Sequence, residues 1–149
     1  SKGGMAMLNL SEILQPGISA EVKKTVELED TVGNSSPYLN QYLSTSACAA
    51  LAVQAAMAVT ENLLPEGYLS VGRRIDLEHE VPAMLGTTVS VRATLREIRG
   101  NRLIFDVSAT DALGFNFRGV NERVVVNRLG LDEKGTERAK RLKELREML

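Results

Sequence analysis

The chain has 149 residues, 44% of them hydrophobic and 25% charged, which suits one globular domain and is too apolar for a disordered segment. Its 18 Lys and Arg against 19 Asp and Glu give a formal charge of −1, which excludes the basic field of a dedicated nucleic-acid binder. One Cys and one His exclude an intrachain disulfide, a cysteine zinc site and a multi-histidine metal site within one chain.

Ser1 to Gly4 reads as the remnant of an expression tag before a start at Met5, and a single domain is expected over residues 1–149. Ile18 to Glu29 alternates apolar and polar side chains, with Lys24 the exception, and predicts a half-buried strand. Gly33-Asn34-Ser35-Ser36-Pro37 then breaks the pattern as a loop. Ser44 to Val59 is alanine-rich, with Ser44 or Thr45 placed to cap its first turn, and Pro65 and Gly67 mark its end. A helix this apolar is expected to be buried all round. Its most apolar part, Ala47 to Val59, is too short to span a bilayer, so no membrane association is expected. A lone thiol and no signal peptide point to the cytoplasm.

Four strand-like segments follow. Val71, Ile75, Leu77, His79 and Val81 share one face, opposite Arg74, Asp76, Glu78 and Glu80. Thr88 to Ile98 is β-branched and alternating, Gly100-Asn101 is a two-residue hairpin signal before Leu103 to Ala109, and Ala112-Leu113-Gly114 turns into Phe115 to Asn127. Short connections require antiparallel neighbours. Asp132 to Leu149 reads as a charged helix that docks a narrow seam of Ala139, Leu142, Leu145 and Leu149. The order predicts an α+β fold, one curved antiparallel sheet around one apolar helix. A single sheet leaves an edge and a face uncovered, so a homodimer or higher homo-oligomer is expected, with the pocket near its interface.

Several stretches then resemble one known family. They are Asp30-Thr31 after the first strand, Thr45 opening the central helix, Leu77-Glu78-His79 with Gly86 seven residues on, and Gly119-Val120-Asn121-Glu122-Arg123. Together they resemble the hot-dog fold thioesterases, in the branch that includes fluoroacetyl-CoA thioesterase, over roughly Gly17 to Asn127. The resemblance implies hydrolysis of an acyl-CoA thioester, with CoA entering as part of the substrate and no further cofactor. It implies catalytic roles for Thr45 and His79. The family's helix glutamate falls at Val53, beside Gln54, and the family's histidine before Glu-Arg falls at Asn121.

Elementary chemistry points the same way. A thioester needs an attacking water or hydroxyl, a group to take its proton, and donors for the developing oxyanion. Thr45 stands where a helix N-terminus offers unpaired N–H groups and a positive dipole end. His79 shares the apolar face of its strand, where burial favours the neutral imidazole that accepts a proton. Asn34, Ser36, Asn121, Glu122 and Arg123 are candidate substrate contacts. Asn34 and Ser36 also serve as turn residues, and Glu122-Arg123 also reads as a cross-strand ion pair. Cys48 reads as a small core residue. With valine at the glutamate position, the competing reading is an acyl-CoA-binding protein that does not hydrolyse its ligand.

Overall fold

Two tight turns fold the second half of the chain into a meander, seen in a computed structural model that describes residues 8–149. The strands are β1 (Ser19–Thr25), β2 (Tyr68–His79), β3 (Thr88–Arg99), β4 (Arg102–Asp111) and β5 (Gly114–Asn127), with helices α1 (Thr45–Thr60) and α2 (Arg128–Glu147). Gly100 takes φ +62°, the left-handed backbone that the β3–β4 hairpin requires and that glycine supplies without strain. All pairings are antiparallel, and the sheet order is β1-β3-β4-β5-β2. The hot-dog-like arrangement of one curved sheet on one helix is as the sequence predicts.

The core lies between α1 and one face of the sheet. Cys48, Leu51, Ala52, Ala55, Ala56 and Val59 of α1 are buried. Opposite them lie Val89, Val91, Ala93 and Leu95 of β3, and Leu103, Phe105 and Val107 of β4. Register puts His79 opposite Phe117, Leu77 opposite Gly119 and Ile75 opposite Asn121, so these share the helix-facing side. Gly119 admits no side chain, because a Cβ there would run into the Asp76 carbonyl and Leu77.

Four expectations change. The first strand stops at Thr25, and Leu28–Asn34 winds into a 3-10 helix whose capping box uses Glu27 and Asp30. The α1 helix is not covered all round, because a single sheet screens one side of it; Gln54 and Met57 are exposed. Of the two cap candidates for α1, Ser44 is the one used: its hydroxyl accepts from Ala47 N–H, so Thr45 is the first helical residue and its hydroxyl is not used for capping. α2 begins at Arg128, capped by the Asn127 side chain, and its leucine seam is not docked: Leu142 is 52% and Leu145 55% exposed. No residue of α2 is buried among the described residues. β2 also departs from a clean inner face: it ends at His79, before the exposed Val81, Ile75 is exposed, and the register with β5 shifts between Gly72 and Arg74. The exposure of Ile75 and the shift follow from β2 being an edge strand.

Removing residues 133–149 is expected to leave the melting temperature within about 2 °C of the parent, since exposed residues contribute little. Ser44→Ala, which strips the cap from Ala47 N–H, is expected to cost about 1 kcal/mol by chemical denaturation.

Candidate active site

Thr45 reaches its place because the chain on either side of it is tied to the chain after β2. Leu43 N–H donates to Ala83 O, Leu85 N–H donates to Gln41 O, and Tyr42 bridges Met84. These bonds hold the start of α1 against the end of β2. Thr45 Oγ1 consequently lies 2.9 Å from His79 Nδ1, a hydrogen bond across 34 positions of sequence. The two residues that the sequence assigns to catalysis are in contact.

The imidazole has two further neighbours. Phe117 meets it edge-on, with ring centroids 6.2 Å apart and planes at 84°. Cys48, one turn into α1, places Sγ 3.7 Å from Nε2 and 4.0 Å from Nδ1. Burial holds the His79 pKa below the ordinary 6.5, and pushes the Cys48 thiol up to about 12. The imidazole is therefore neutral at physiological pH and the thiol is protonated, which disqualifies Cys48 as a thiolate nucleophile.

A second polar cluster occupies the other end of β2. Arg123 is 3% exposed and donates to Ser70 Oγ (2.8 Å), Ser70 O (3.0 Å) and Asn121 Oδ1 (3.2 Å), none of them charged. Asn121 Nδ2 in turn donates to Arg74 O (2.8 Å). Among the described residues no carboxylate pairs with this buried guanidinium, which departs from the usual pairing of buried charge, and desolvation lowers its pKa. Gly72 lies beside it on the paired strand, where a Cβ would stand 3.4 Å from Arg123 Nη1, an ordinary contact distance. Ser70 also lines a groove of about 370 Å³ with Gln54, Met57, Glu61, Leu64 and Tyr68.

The remaining candidates separate. Asn34 Nδ2 donates to Leu39 O and Tyr42 O, stapling the loop that precedes α1 (3.0 and 2.8 Å). Ser36 caps the short Pro37–Leu39 turn through Tyr38 N–H. Glu122 pairs with Arg73, not with Arg123, because neighbouring residues of a strand point to opposite faces. Val53 is half-buried and has no polar atom, whereas Gln54 is exposed in the groove. Eight or nine helical positions separate them from Thr45, about 12–14 Å along the axis, so neither reaches the Thr45–His79 pair within one chain. Sequence reasoning missed Ser70, Gly72 and the Cys48–His79 contact. A serine or glycine in a strand carries no distinguishing signal, and cysteine in an apolar helix looks like packing.

Among the described residues, no group of His, Cys, Asp and Glu is gathered to hold a metal ion. No helix there is long and apolar enough to cross a membrane. The histidine's C–H resonances are expected to titrate with a midpoint below 6.5. The unfolded chain, with its ordinary pKa, binds the proton first as pH falls, so stability contributed by neutral His79 is present above about 6.5 and declines as pH falls toward the folded-state midpoint. Denaturant midpoints measured across that window check the sign.

Comparisons with known proteins place the fold and the family. No curated protein sequence matches the chain. A hot-dog-like protein from Thermanaerovibrio acidaminovorans is 34% identical, with a TM-score of 0.85 over 88% of this chain and 97% of its own. A thioesterase superfamily member from Thermus thermophilus, at 22% identity, shares the fold with a TM-score of 0.82 over 87% of this chain and 96% of its own. The fluoroacetyl-CoA thioesterase is 25% identical, with a TM-score of 0.74 over 83% of this chain and 96% of its own; a variant of that enzyme is known in complex with acetyl-CoA. Residues 26–129 match the family described as fluoroacetyl-CoA-specific thioesterase, and the span includes Thr45, His79 and Arg123. The chain belongs to that family, within the thioesterase superfamily of hot-dog proteins.

Proposed function

We propose that this protein hydrolyses the thioester of an acyl-CoA carrying a small or medium acyl group, with Thr45 and His79 as its catalytic pair. The observation that carries the reading is the 2.9 Å contact between Thr45 Oγ1 and His79 Nδ1 at the N-terminus of α1. Neutral His79 accepts the proton of the attacking hydroxyl, from Thr45 or from a water bound to it. Unpaired N–H groups at the start of α1 stabilise the oxyanion as the carbonyl becomes tetrahedral. The C–S bond then breaks, and His79 returns the proton to the CoA sulfur; attack by water releases the carboxylic acid at once, whereas attack by Thr45 leaves an acyl-Thr45 ester that a water deprotonated by His79 then hydrolyses, giving the acid and the free hydroxyl. Membership of the family and the acetyl-CoA complex of its namesake support CoA as the leaving group.

Arg123, with Asn121, is assigned to binding of the acyl or CoA portion, because a buried guanidinium lacking a counter-charge is suited to an electronegative or anionic group. Glu122, tied to Arg73, orients the same strand, and Asn34 and Ser36 shape the loop beside Thr45. Ser70 and His79 lie nine residues apart on β2, about 30 Å, so one chain does not bring Arg123 and His79 to the same carbonyl. A second copy pairing antiparallel along the open edge of β2 would bring them together. It would also cover Ile75, which is 40% exposed. We therefore assign a homodimer as the working unit. Sedimentation at micromolar concentration is expected to give about twice 16.2 kDa, and a stable monomer would remove the assignment.

The competing reading, an acyl-CoA binder without turnover, draws on Val53, which cannot orient water. Thiol release from a panel of acyl-CoAs, run beside a thermal-shift titration with free CoA, separates the two: release marks a hydrolase, and a shift without release marks a binder. His79→Ala is expected to lower kcat by about 10² or more with little change in melting temperature. Val53→Glu is expected to raise hydrolysis while destabilising the fold by about 1–3 kcal/mol, because the carboxyl enters a half-buried wall. A decrease in turnover would mean that position 53 is not a vacant catalytic position.

A further inference from the structure

Gln54 is the one polar side chain between Ser46 and Thr60 of α1 apart from Cys48, and the proposed chemistry leaves it without a task. The helix turns a covered stripe to the sheet. On its open side Ala50, Gln54, Met57 and Glu61 are exposed, with Val53 and Ala58 half-buried among them. The side-chain hydrogen bonds at α1 among the described residues engage Ser44, Thr45, Ser46, Cys48 and Thr60, and leave the Gln54 amide without a partner. That amide opens into the groove of about 370 Å³ whose wall includes Ser70. Gln54 therefore shares a recess with the residue that accepts from the Arg123 guanidinium. A two-fold that pairs β2 with β2 joins the two sheets into one and puts both α1 helices on the same face of it, running in opposite directions. The start of one helix then lies beside the later turns of the other. The symmetry that brings the partner's Ser70 to His79 brings the partner's Gln54 with it, because the two line one groove.

We propose that the partner's Gln54 is a catalytic residue that holds the attacking water, its Oε1 accepting one O–H while His79 takes the other proton, so that each site is built from two copies of the chain. A neutral imidazole removes a proton but does not alone hold a water in line with a carbonyl carbon, and a second fixed group supplies that orientation. Because His79 already serves as the base, the water needs an acceptor rather than another base, and an amide accepts without competing for the proton. The balance of the hydrolysis is unchanged. Water oxygen adds to the carbonyl carbon, its proton passes to His79 and then to the CoA sulfur as the C–S bond breaks, and the amide neither gains nor loses a proton. The inference rests on the hydrolase reading and on the β2-paired dimer, although the placement of Gln54 beside His79 does not depend on turnover.

Gln54→Met keeps the length of the side chain and removes its polar end. It is expected to lower kcat about tenfold with KM and melting temperature nearly unchanged. Gln54→Glu keeps an acceptor and is expected to hold kcat within about threefold. Its anion is also expected to raise the titration midpoint of the only histidine, read from its C–H resonances, by about half a pH unit or more. The residue 54 of the same chain stands about 14 Å from Thr45 along the helix axis, beyond the reach of such an effect. Hybrid dimers isolated through two affinity tags then show which copy supplies the amide. With His79→Ala in one chain and Gln54→Met in the other, a site shared between chains leaves one complete site and about half the parental kcat per dimer, whereas a site within one chain leaves about a twentieth. Parental kcat in Gln54→Met, an unmoved histidine midpoint in Gln54→Glu, or a hybrid at about a twentieth would each overturn the proposal. A raised midpoint in a protein that releases thiol from no acyl-CoA would sustain the placement of Gln54 and defeat the hydrolase reading.

Discussion

The hydrogen bond between Thr45 and His79 joins the first residue of α1, the helix packed on the sheet, to the last residue of an edge strand. Neither position is strongly fixed by its own element, since helix starts fray and edge strands carry half a ladder. The rest of the architecture supplies the missing constraint. Asp30 O accepts Ser44 N–H, Gly33 leaves room for the Ser44 and Ser46 hydroxyls, and Asn34 pins the loop to Leu39 and Tyr42. On the far side, Glu80 and Val81 N–H both donate to Asn116 O, which holds the exit of β2 against β5. The pair is thus held by main-chain bonds from both directions, and its own hydrogen bond is the outcome of that framework.

Local chemistry at the helix start divides two tasks between adjacent residues. Ser44 accepts from Ala47 N–H and satisfies the helix; Thr45, one position on, is released from that duty. Both residues have cap-forming side chains, and the sequence does not say which one caps, because the choice depends on the backbone angle at which the loop enters. The extended conformation of Ser44, ψ 156°, is what decides it.

Much of this fold is legible in the residues. Period-two alternation and the Gly100-Asn101 turn locate the meander, and the alanine run locates α1, since these signals are local. The Thr45–His79 pairing is legible only through the family pattern, because nothing in the chemistry of a lone threonine and a lone histidine predicts that they meet. What the residues conceal is set by tertiary context. An alternating strand looks the same at an edge as in the centre, so the exposure of Ile75 is invisible until strand order is known. The leucines of α2 have helical spacing, but spacing alone does not provide a surface to rest on. Arg123 is singled out in the sequence only as part of the Gly119–Arg123 stretch, and its burial beside Ser70 and Asn121, which separates it from Arg73 or Arg118, carries no local signal.

The alanines of α1 set the distance at which the reactive groups meet. Ala52, Ala55 and Ala56 are fully buried, so the helix axis rides on the sheet at a height fixed by methyl groups. Every larger side chain on that stripe would act as a shim, lifting or tilting the helix against β3. Thr45 sits at one end of this lever and the groove beside Met57 at the other. A hydrogen bond tolerates only a few tenths of an ångström before it weakens, while an apolar groove tolerates much more. Variation in the buried stripe would therefore reach the chemistry before it reached the binding of a ligand, and the smallness of these residues is a tolerance specification for the Thr45–His79 contact.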